Sequence, residues 1–284
     1  MAKPTCQTLA LYDEGVFVIV CGMRRSGSTL TFQVTRALLE LNHEITVTEP
    51  QTGIGVPADE IAAAAASPKI ILTKMHTVSK YVRDRLPTSG AYYIYTARDP
   101  RDAVASLIRK GRLSKNDPTR VGFAKDFAKK ERVGSLIYPK MPKSWVGFYE
   151  DFVDDVPFLI RSLADFLDIK VTDEWVAKLA DDLDIDKQRE RSQAVRQDFS
   201  VRQQTRLTVN HITDGRPGSW RETLLPNEII DIENQFIDWM LRNGYRPTKI
   251  GLPRVKRTFV KRLLRRLRWI RSVIKFYSSS VRRG

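Results

Sequence analysis

A layered α/β fold with a mostly parallel central sheet is predicted for this chain of 284 residues on three observations. Apolar or β-rich runs at 16–21, Ile70–Met75 and Ala91–Ala97 read as strands covered on both faces. Helical rhythm resumes within a few residues of the first and third runs, over 28–41 and 101–110. Both of those strand-to-helix turns carry arginine, hydroxyl or glycine residues of the kind that hold anions.

Along the chain, residues 1–15 are a polar lead-in to a strand over 16–22, and a helix over 28–41 follows. A short strand is expected at 45–48, an alanine-rich helix at 58–67, a strand at 70–75 and a helix at 77–86. The strand at 91–97 leads into a helix over 101–110, with Pro100 suited to its start. Residues 111–119 read as a loop before a charged helix around 120–132. A strand at 144–149 precedes helices at 156–167 and 173–183. The stretch 185–207 is rich in Arg and Gln and poor in apolar residues, which reads as a surface helix or a mobile lid. Pro226–Arg242 is a helix with proline at its start and Gly244 near its end, and no internal repeat is visible.

Between the first strand and the first helix stands Met23-Arg24-Arg25-Ser26-Gly27-Ser28-Thr29. The N–H groups of a first helical turn lack intrahelical partners and sit at the positive end of the helix dipole. Such a terminus binds phosphate or sulfate, and Gly27 lets the backbone approach the anion. A magnesium-dependent nucleotide loop requires G-x-x-x-x-G-K-[ST]. No such run stands here, and the cations precede the glycine, so the loop reads as built for an anion held without a metal. Alone, Ser-Gly-Ser-Thr is also an ordinary turn with a helix cap. Arg98-Asp99-Pro100-Arg101-Asp102 adds weight, because it puts Arg98 at the carboxyl end of its strand and Ser106 on the next helix. Ligands of open α/β sheets collect at strand carboxyl ends, so both segments open on one crevice.

Arg24-Arg25-Ser26-Gly27-Ser28-Thr29, followed by Arg98-Asp99-Pro100-Arg101-Asp102-Ala103-Val104-Ala105-Ser106, resembles the two nucleotide signatures of sulfotransferases that use 3′-phosphoadenosine 5′-phosphosulfate (PAPS). Three further stretches fall in that family's order. Lys74-Met75-His76 resembles its Lys-x-His strand end, Phe148-Tyr149-Glu150-Asp151 its Tyr-Glu-Asp strand, and Gly215-Arg216-Pro217-Gly218-Ser219-Trp220 its late Gly-x-x-Gly-x-Trp loop. The resemblance spans most of residues 16–245 and is closer to bacterial-type members than to animal cytosolic ones. It implies a three-layer P-loop-like fold and in-line transfer of a sulfuryl group from PAPS to a hydroxyl or amine. The acceptor class it implies is a carbohydrate, lipid or small molecule, with 3′-phosphoadenosine 5′-phosphate (PAP) as product and no metal.

On the matched positions the resemblance implies that Arg24, Arg25, Ser26, Gly27, Ser28 and Thr29 hold the 5′-phosphosulfate and that Arg98 and Ser106 hold the 3′-phosphate. Tyr149 takes the adenosine side, and Gly215, Arg216 and Gly218 supply the late loop's share. Lys74 neutralises the transferring group, Arg25 stabilises the leaving oxygen, and His76 is the general base, since imidazole titrates near neutrality. Glu49 is the rival base, because some carbohydrate and bacterial members use a carboxylate just after the first helix. The chain departs from the family in three places. Arg25 stands where many members have Lys, Leu30 replaces the usual adenine-stacking Trp, and Thr213-Asp214-Gly215 replaces Arg-Lys-Gly, leaving Arg216 to compensate. Of the other two histidines, His43 reads as a surface or capping residue, and His211 lies near the late loop. Glu150 and Asp151 read as caps of the helix that follows them.

The chain length suits one α/β enzyme domain over 1–250. Cys6 and Cys21 make no disulfide framework. The run 16–21 lacks a cleavage pattern and is too short to span a bilayer, which gives a cytoplasmic expectation. Of the 48 Lys and Arg, twelve lie in 252–284, a stretch without Asp or Glu, so the rest of the chain is near neutral. Apolar residues there recur at 259, 260, 263, 264, 267, 270, 274 and 277, the rhythm of an amphipathic helix. The tail over 251–284 is thus expected to lie on an anionic membrane surface at the inner face, or to dock on its own domain. No reader fold for nucleic acid is present in the sequence pattern. Residues 111–143 and 185–210, expected to face the acceptor, carry no assignable motif, and the tail points weakly to a glycolipid, polysaccharide precursor or other amphiphile. Two other classes stay open, a P-loop kinase-like enzyme and a non-catalytic membrane-associated member of the fold.

Overall fold

The computed structural model describes residues 16–48, 70–76, 86–111, 113–114, 116–120 and 122–248. Glu49, the lead-in, the expected helix at 58–67, that at 77–86 apart from its last residue, and the basic tail all lie outside the described residues.

Five strands are described: β1 (Val16–Gly22), β2 (Ile45–Val47), β3 (Ile70–Met75), β4 (Ala91–Ala97) and β5 (Ser144–Phe148). They form one sheet in the order β2-β3-β1-β4-β5, and every pairing is parallel. β1 is central, with all seven residues buried. Side chains alternate across a strand, so the run feeds two cores at once. Phe17, Ile19 and Cys21 enter one, and Val16, Val18 and Val20 the other. This double burial is why β1 reads as an unbroken apolar run rather than as an alternation.

The helices are α1 (Ser28–Glu40), α2 (Pro100–Gly111), α3 (Phe123–Ile137), α4 (Tyr149–Phe152), α5 (Val156–Phe166), α6 (Asp173–Asp182), α7 (Ile185–Ala194), α8 (Phe199–Thr205), α9 (Trp220–Thr223) and α10 (Pro226–Arg242). Phe32 and Leu38 of α1, Leu159 and Leu163 of α5 and Val176 of α6 close one core. Val104 and Ile108 of α2, Phe127 of α3 and Phe236 of α10 close the other. Each fully buried Leu, Ile or Phe contributes about 1.5–3 kcal/mol of transfer free energy. The result is the expected three-layer α/β fold. Among the described residues no helix is long and apolar enough to cross a membrane.

Some boundaries differ from the sequence expectation. The charged helix starts at Phe123 because Gly122 turns left-handed at φ 74°. Tyr149 leaves the strand and opens α4. The polar stretch 185–207 forms α7 and α8, each started by an aspartate (Asp184, Asp198) that accepts from backbone N–H groups ahead of it. A cap of that kind contributes about 1 kcal/mol. Apolar periodicity is missing there because α7 buries Gln188 and Ser192 instead of a hydrocarbon stripe.

Candidate active site

The parallel register aligns Cys21 with Met75 and Gly22 with Thr96, so the chain leaves three strands at one edge of the sheet. Residues 23–27, His76 and Arg98 meet there. The turn after β1 is built on two left-handed residues, Arg25 at φ 70° and Gly27 at φ 79°. Gly27 is the N-cap of α1 and supplies no side-chain cap, so the first-turn N–H groups stay available to an anion. A Cβ on Gly27 would lie 2.7 Å from the Phe152 ring and 3.0 Å from that of Tyr149. Gly27→Ala is therefore expected to cost about 2–4 kcal/mol, from left-handed strain plus overlap. Thermal unfolding should record that as a fall of about 5–15 °C.

Lys74 and His76 approach from the end of β3. The Lys74 ammonium is buried and donates to Thr29 Oγ1 at 2.5 Å. Burial, with Arg206, Arg25 and Lys110 nearby, holds its pKa down to about 7. His76 Nδ1 lies 2.9 Å from the Gly22 carbonyl oxygen. A carbonyl only accepts, so Nδ1 carries the proton and Nε2 keeps its lone pair. Burial first, then the Lys74 charge, holds the His76 pKa down to about 3, so the ring is neutral at physiological pH.

Arg98 follows β4, and its guanidinium lies 4.0 Å over the Tyr149 ring. One of its terminal nitrogens, Nη2, donates to the carbonyls of Gly215 at 2.9 Å and Arg216 at 3.2 Å, which ties the late loop to the strand tip. Its Nε is buried with no hydrogen-bond partner among the described residues. Arg25 Nε donates to Ser106 Oγ at 3.0 Å, and Ser106 meets Thr213 Oγ1 at 3.0 Å. Arg25 also donates to the His211 carbonyl, and burial beside Arg98 lowers its pKa to about 10.

These groups line one cavity of about 660 Å³ that holds Lys74, His76, Arg25, Arg98 and Ser106 together. Arg24, Lys110, Arg202 and Arg206 line it too, and among the described lining residues there is no carboxylate. Leu30, Val156, Leu183, Ile185, Leu207 and Ile212 supply apolar wall. Such a chamber suits an elongated polyanion with an apolar part.

The sulfotransferase domain model matches residues 17–244. The chain belongs to the sulfotransferase family. Solved structures agree on the fold. A mouse sulfotransferase complexed with PAP superposes with a TM-score of 0.60 at 19% identity, over 84% of this chain and 87% of that one. A retinol dehydratase in a complex with retinol and PAP gives 0.52 at 17%, over 79% and 81%. Retinol dehydratase in complex with androsterone and inactive cofactor PAP gives 0.50 at 17%, over 79% and 80%. The comparison with curated proteins returned no match.

Several residues of this sulfotransferase sit otherwise than their motif positions imply. Ser26 does not face the cavity. Its hydroxyl is buried against the Met23 carbonyl at 2.6 Å and Thr96 Oγ1 at 2.7 Å, so it pins the turn to β4. Arg216 does not fill the place of the missing cation. Its side chain is 61% exposed and pairs with Asp214 and Glu222, because the loop turns it outward, and only its carbonyl reaches Arg98. Gly218 is likewise outside the cavity lining, with its N–H on Asp102 Oδ2 at 2.6 Å. Arg24 stands at the cavity with its Nε on buried Glu131 at 2.6 Å and its backbone N–H on the same carboxylate at 3.1 Å. Glu150 is no helix cap, since it accepts from the Asp99 N–H at 3.0 Å and the Tyr245 hydroxyl at 2.8 Å. Trp220 is core, with Arg101 4.2 Å over its ring.

Sequence reasoning missed Asp102, which also accepts from the Trp220 N–H at 2.9 Å and so anchors the late loop from α2. It missed Lys110, Gln188, Arg202 and Arg206 as cavity residues. Lys110 was within reach, since it lies four residues after Ser106 and shares its helix face. The others come from a segment without a motif.

Proposed function

We propose that this sulfotransferase moves the sulfuryl group of PAPS to a hydroxyl or amine of a carbohydrate, lipid or small-molecule acceptor, with His76 as the base. One observation carries the reading: Lys74, His76, Arg25, Arg98 and Ser106 line a single carboxylate-free chamber, among the described residues, at the uncapped start of α1. PAP in the mouse sulfotransferase and retinol dehydratase structures supports the donor, and retinol and androsterone in the latter support a hydroxyl-bearing small molecule.

In this reading the 5′-phosphosulfate lies on the N–H groups of Ser28 and Thr29, where the helix dipole and Arg25 face its charge. The acceptor oxygen attacks sulfur, the bond from sulfur to the bridging phosphate oxygen breaks, and the electron pair stays on PAP. The acceptor proton passes to His76 Nε2, the lone-pair nitrogen left free by the Nδ1 contact with Gly22. Lys74 meets the equatorial sulfuryl oxygens, and its bond to Thr29 ties it to the same helix turn. The low pKa of free His76 rises when the donor's negative charge arrives, because the phosphosulfate offsets the Lys74 and Arg25 fields.

Calorimetry with PAP, with chelator present, tests the donor. Binding is expected, and no binding by folded protein overturns the reading. The pH dependence of PAPS binding has a definite sign. Free Lys74 loses its proton as pH rises through about 7, while a bound anion favours the charged form. Affinity for PAPS, measured without acceptor, should therefore weaken above pH 7, by up to about tenfold per unit, where the phosphates are already ionised. A flat profile from pH 7 to 9 would remove Lys74 from the donor site.

A further inference from the structure

Seven cations line the cavity among the described residues, more than the donor's charge requires. PAPS carries about two negative charges on its 3′-phosphate and about two on the phosphosulfate. Arg25, Lys74, Arg98 and the α1 terminus already face that charge. Lys110 stands one helical turn beyond Ser106 on α2, about 6 Å further from the strand tips. Its ammonium donates to the neutral hydroxyl of Thr208 at 2.7 Å. The same hydroxyl meets His211 Nδ1 at 3.1 Å, and Ser192 of α7 donates to the Thr208 carbonyl at 2.8 Å.

Gln188 lies one turn before Ser192 on α7 and lines the same cavity. Its Nε2 is buried with no hydrogen-bond partner among the described residues. A buried amide donor left unpaired costs about 1–3 kcal/mol, so its presence in a cavity wall points to an acceptor atom brought by a ligand. Arg202 and Arg206 add positive field from the α8 side, and Leu207, Ile212 and Leu183 give the wall its hydrocarbon.

We infer that the acceptor is an anionic amphiphile, an alcohol with an apolar body and a phosphate, sulfate or carboxylate group that Lys110 and Gln188 bind. This rests on the sulfotransferase reading of the same cavity and deepens it by naming the acceptor class. The hydroxyl faces His76, the apolar body lies on Leu207 and Ile212, and the anion ends between Lys110 and Gln188, whose helices are both bonded to Thr208. A neutral alcohol of the same length leaves Lys110 and Gln188 to desolvate without a counter-charge, so it binds less well.

The test is calorimetry of the full chain saturated with PAP, titrated with octyl phosphate, octanol and octyltrimethylammonium below their micelle concentrations. Octyl phosphate should bind at least about tenfold more tightly than octanol, and the ammonium not at all, as a charge-assisted contact requires. Lys110→Gln should reduce the phosphate preference to about threefold or less. Gln188→Ala should weaken it by a smaller factor, with PAP affinity as the folding control in both variants. Equal affinity for octanol and octyl phosphate overturns the inference while leaving the donor reading intact. So does a preference that survives Lys110→Gln and Gln188→Ala but disappears in Lys74→Met, since the phosphate would then occupy the sulfuryl position. Failure of PAP itself to bind overturns the sulfotransferase reading instead.

Discussion

His76→Ala is expected to lower turnover about a hundred- to ten-thousandfold, the usual worth of a positioned general base, with PAP affinity changed less than about threefold. The two readouts separate because the ring is neutral and contacts only a backbone carbonyl on its Nδ1 side. It adds no charge to the donor site. Single-turnover assays with labelled PAPS measure the first quantity and calorimetry the second. The pH profile gives an independent check. With the free ring held to a pKa of about 3, kcat/KM shows no acidic limb from this residue across the range in which PAP is fully ionised. Unchanged turnover in the variant would transfer the role of base to Glu49.

Arg98→Ala carries the other large effect. The guanidinium donates to the carbonyls of Gly215 and Arg216, packs on Tyr149 and keeps Nε unpartnered among the described residues. Its removal takes a charge-assisted contact from the nucleotide and leaves the carbonyls of Gly215 and Arg216 without their donor. Together these amount to about 3–4 kcal/mol. PAP affinity should fall by two to three orders of magnitude or roughly so. Arg98→Lys should restore little of it, because one ammonium cannot span both carbonyls and an anion while covering the Tyr149 face. An unchanged PAP dissociation constant in Arg98→Ala would remove this residue from the site.

Much of the site was legible because the chemistry is local. Gly27 sits where the strand ends and the helix starts, and Arg98 and Ser106 lie across the next such junction. Spacing along a strand or helix converts directly into distance, so those positions follow from the pattern. Ser26, Arg216 and Gly218 did not, since each lies in a turn where one residue's φ decides which way a side chain points. Ser28 and Thr29 are buried at the head of α1 facing the cavity, whereas Ser26 turns back to Thr96. Residues 185–211 carry no apolar rhythm because, Leu207 apart, their buried positions are polar, and no local pattern marks Gln188 as a cavity residue.

From its sequence alone, this chain determined that strands alternate with helices, that two strand-to-helix turns carry arginine, hydroxyl or glycine residues, and that Lys74 and His76 stand at a strand end. All of these depend on neighbours a few residues apart, where backbone geometry links order to position. Only the tertiary structure decided the strand order β2-β3-β1-β4-β5, the outward turn of Arg216, and the arrival of Lys110 and Gln188 in one cavity wall. Those features arise from packing between segments separated by tens of residues, which the burial of two cores on one sheet selects.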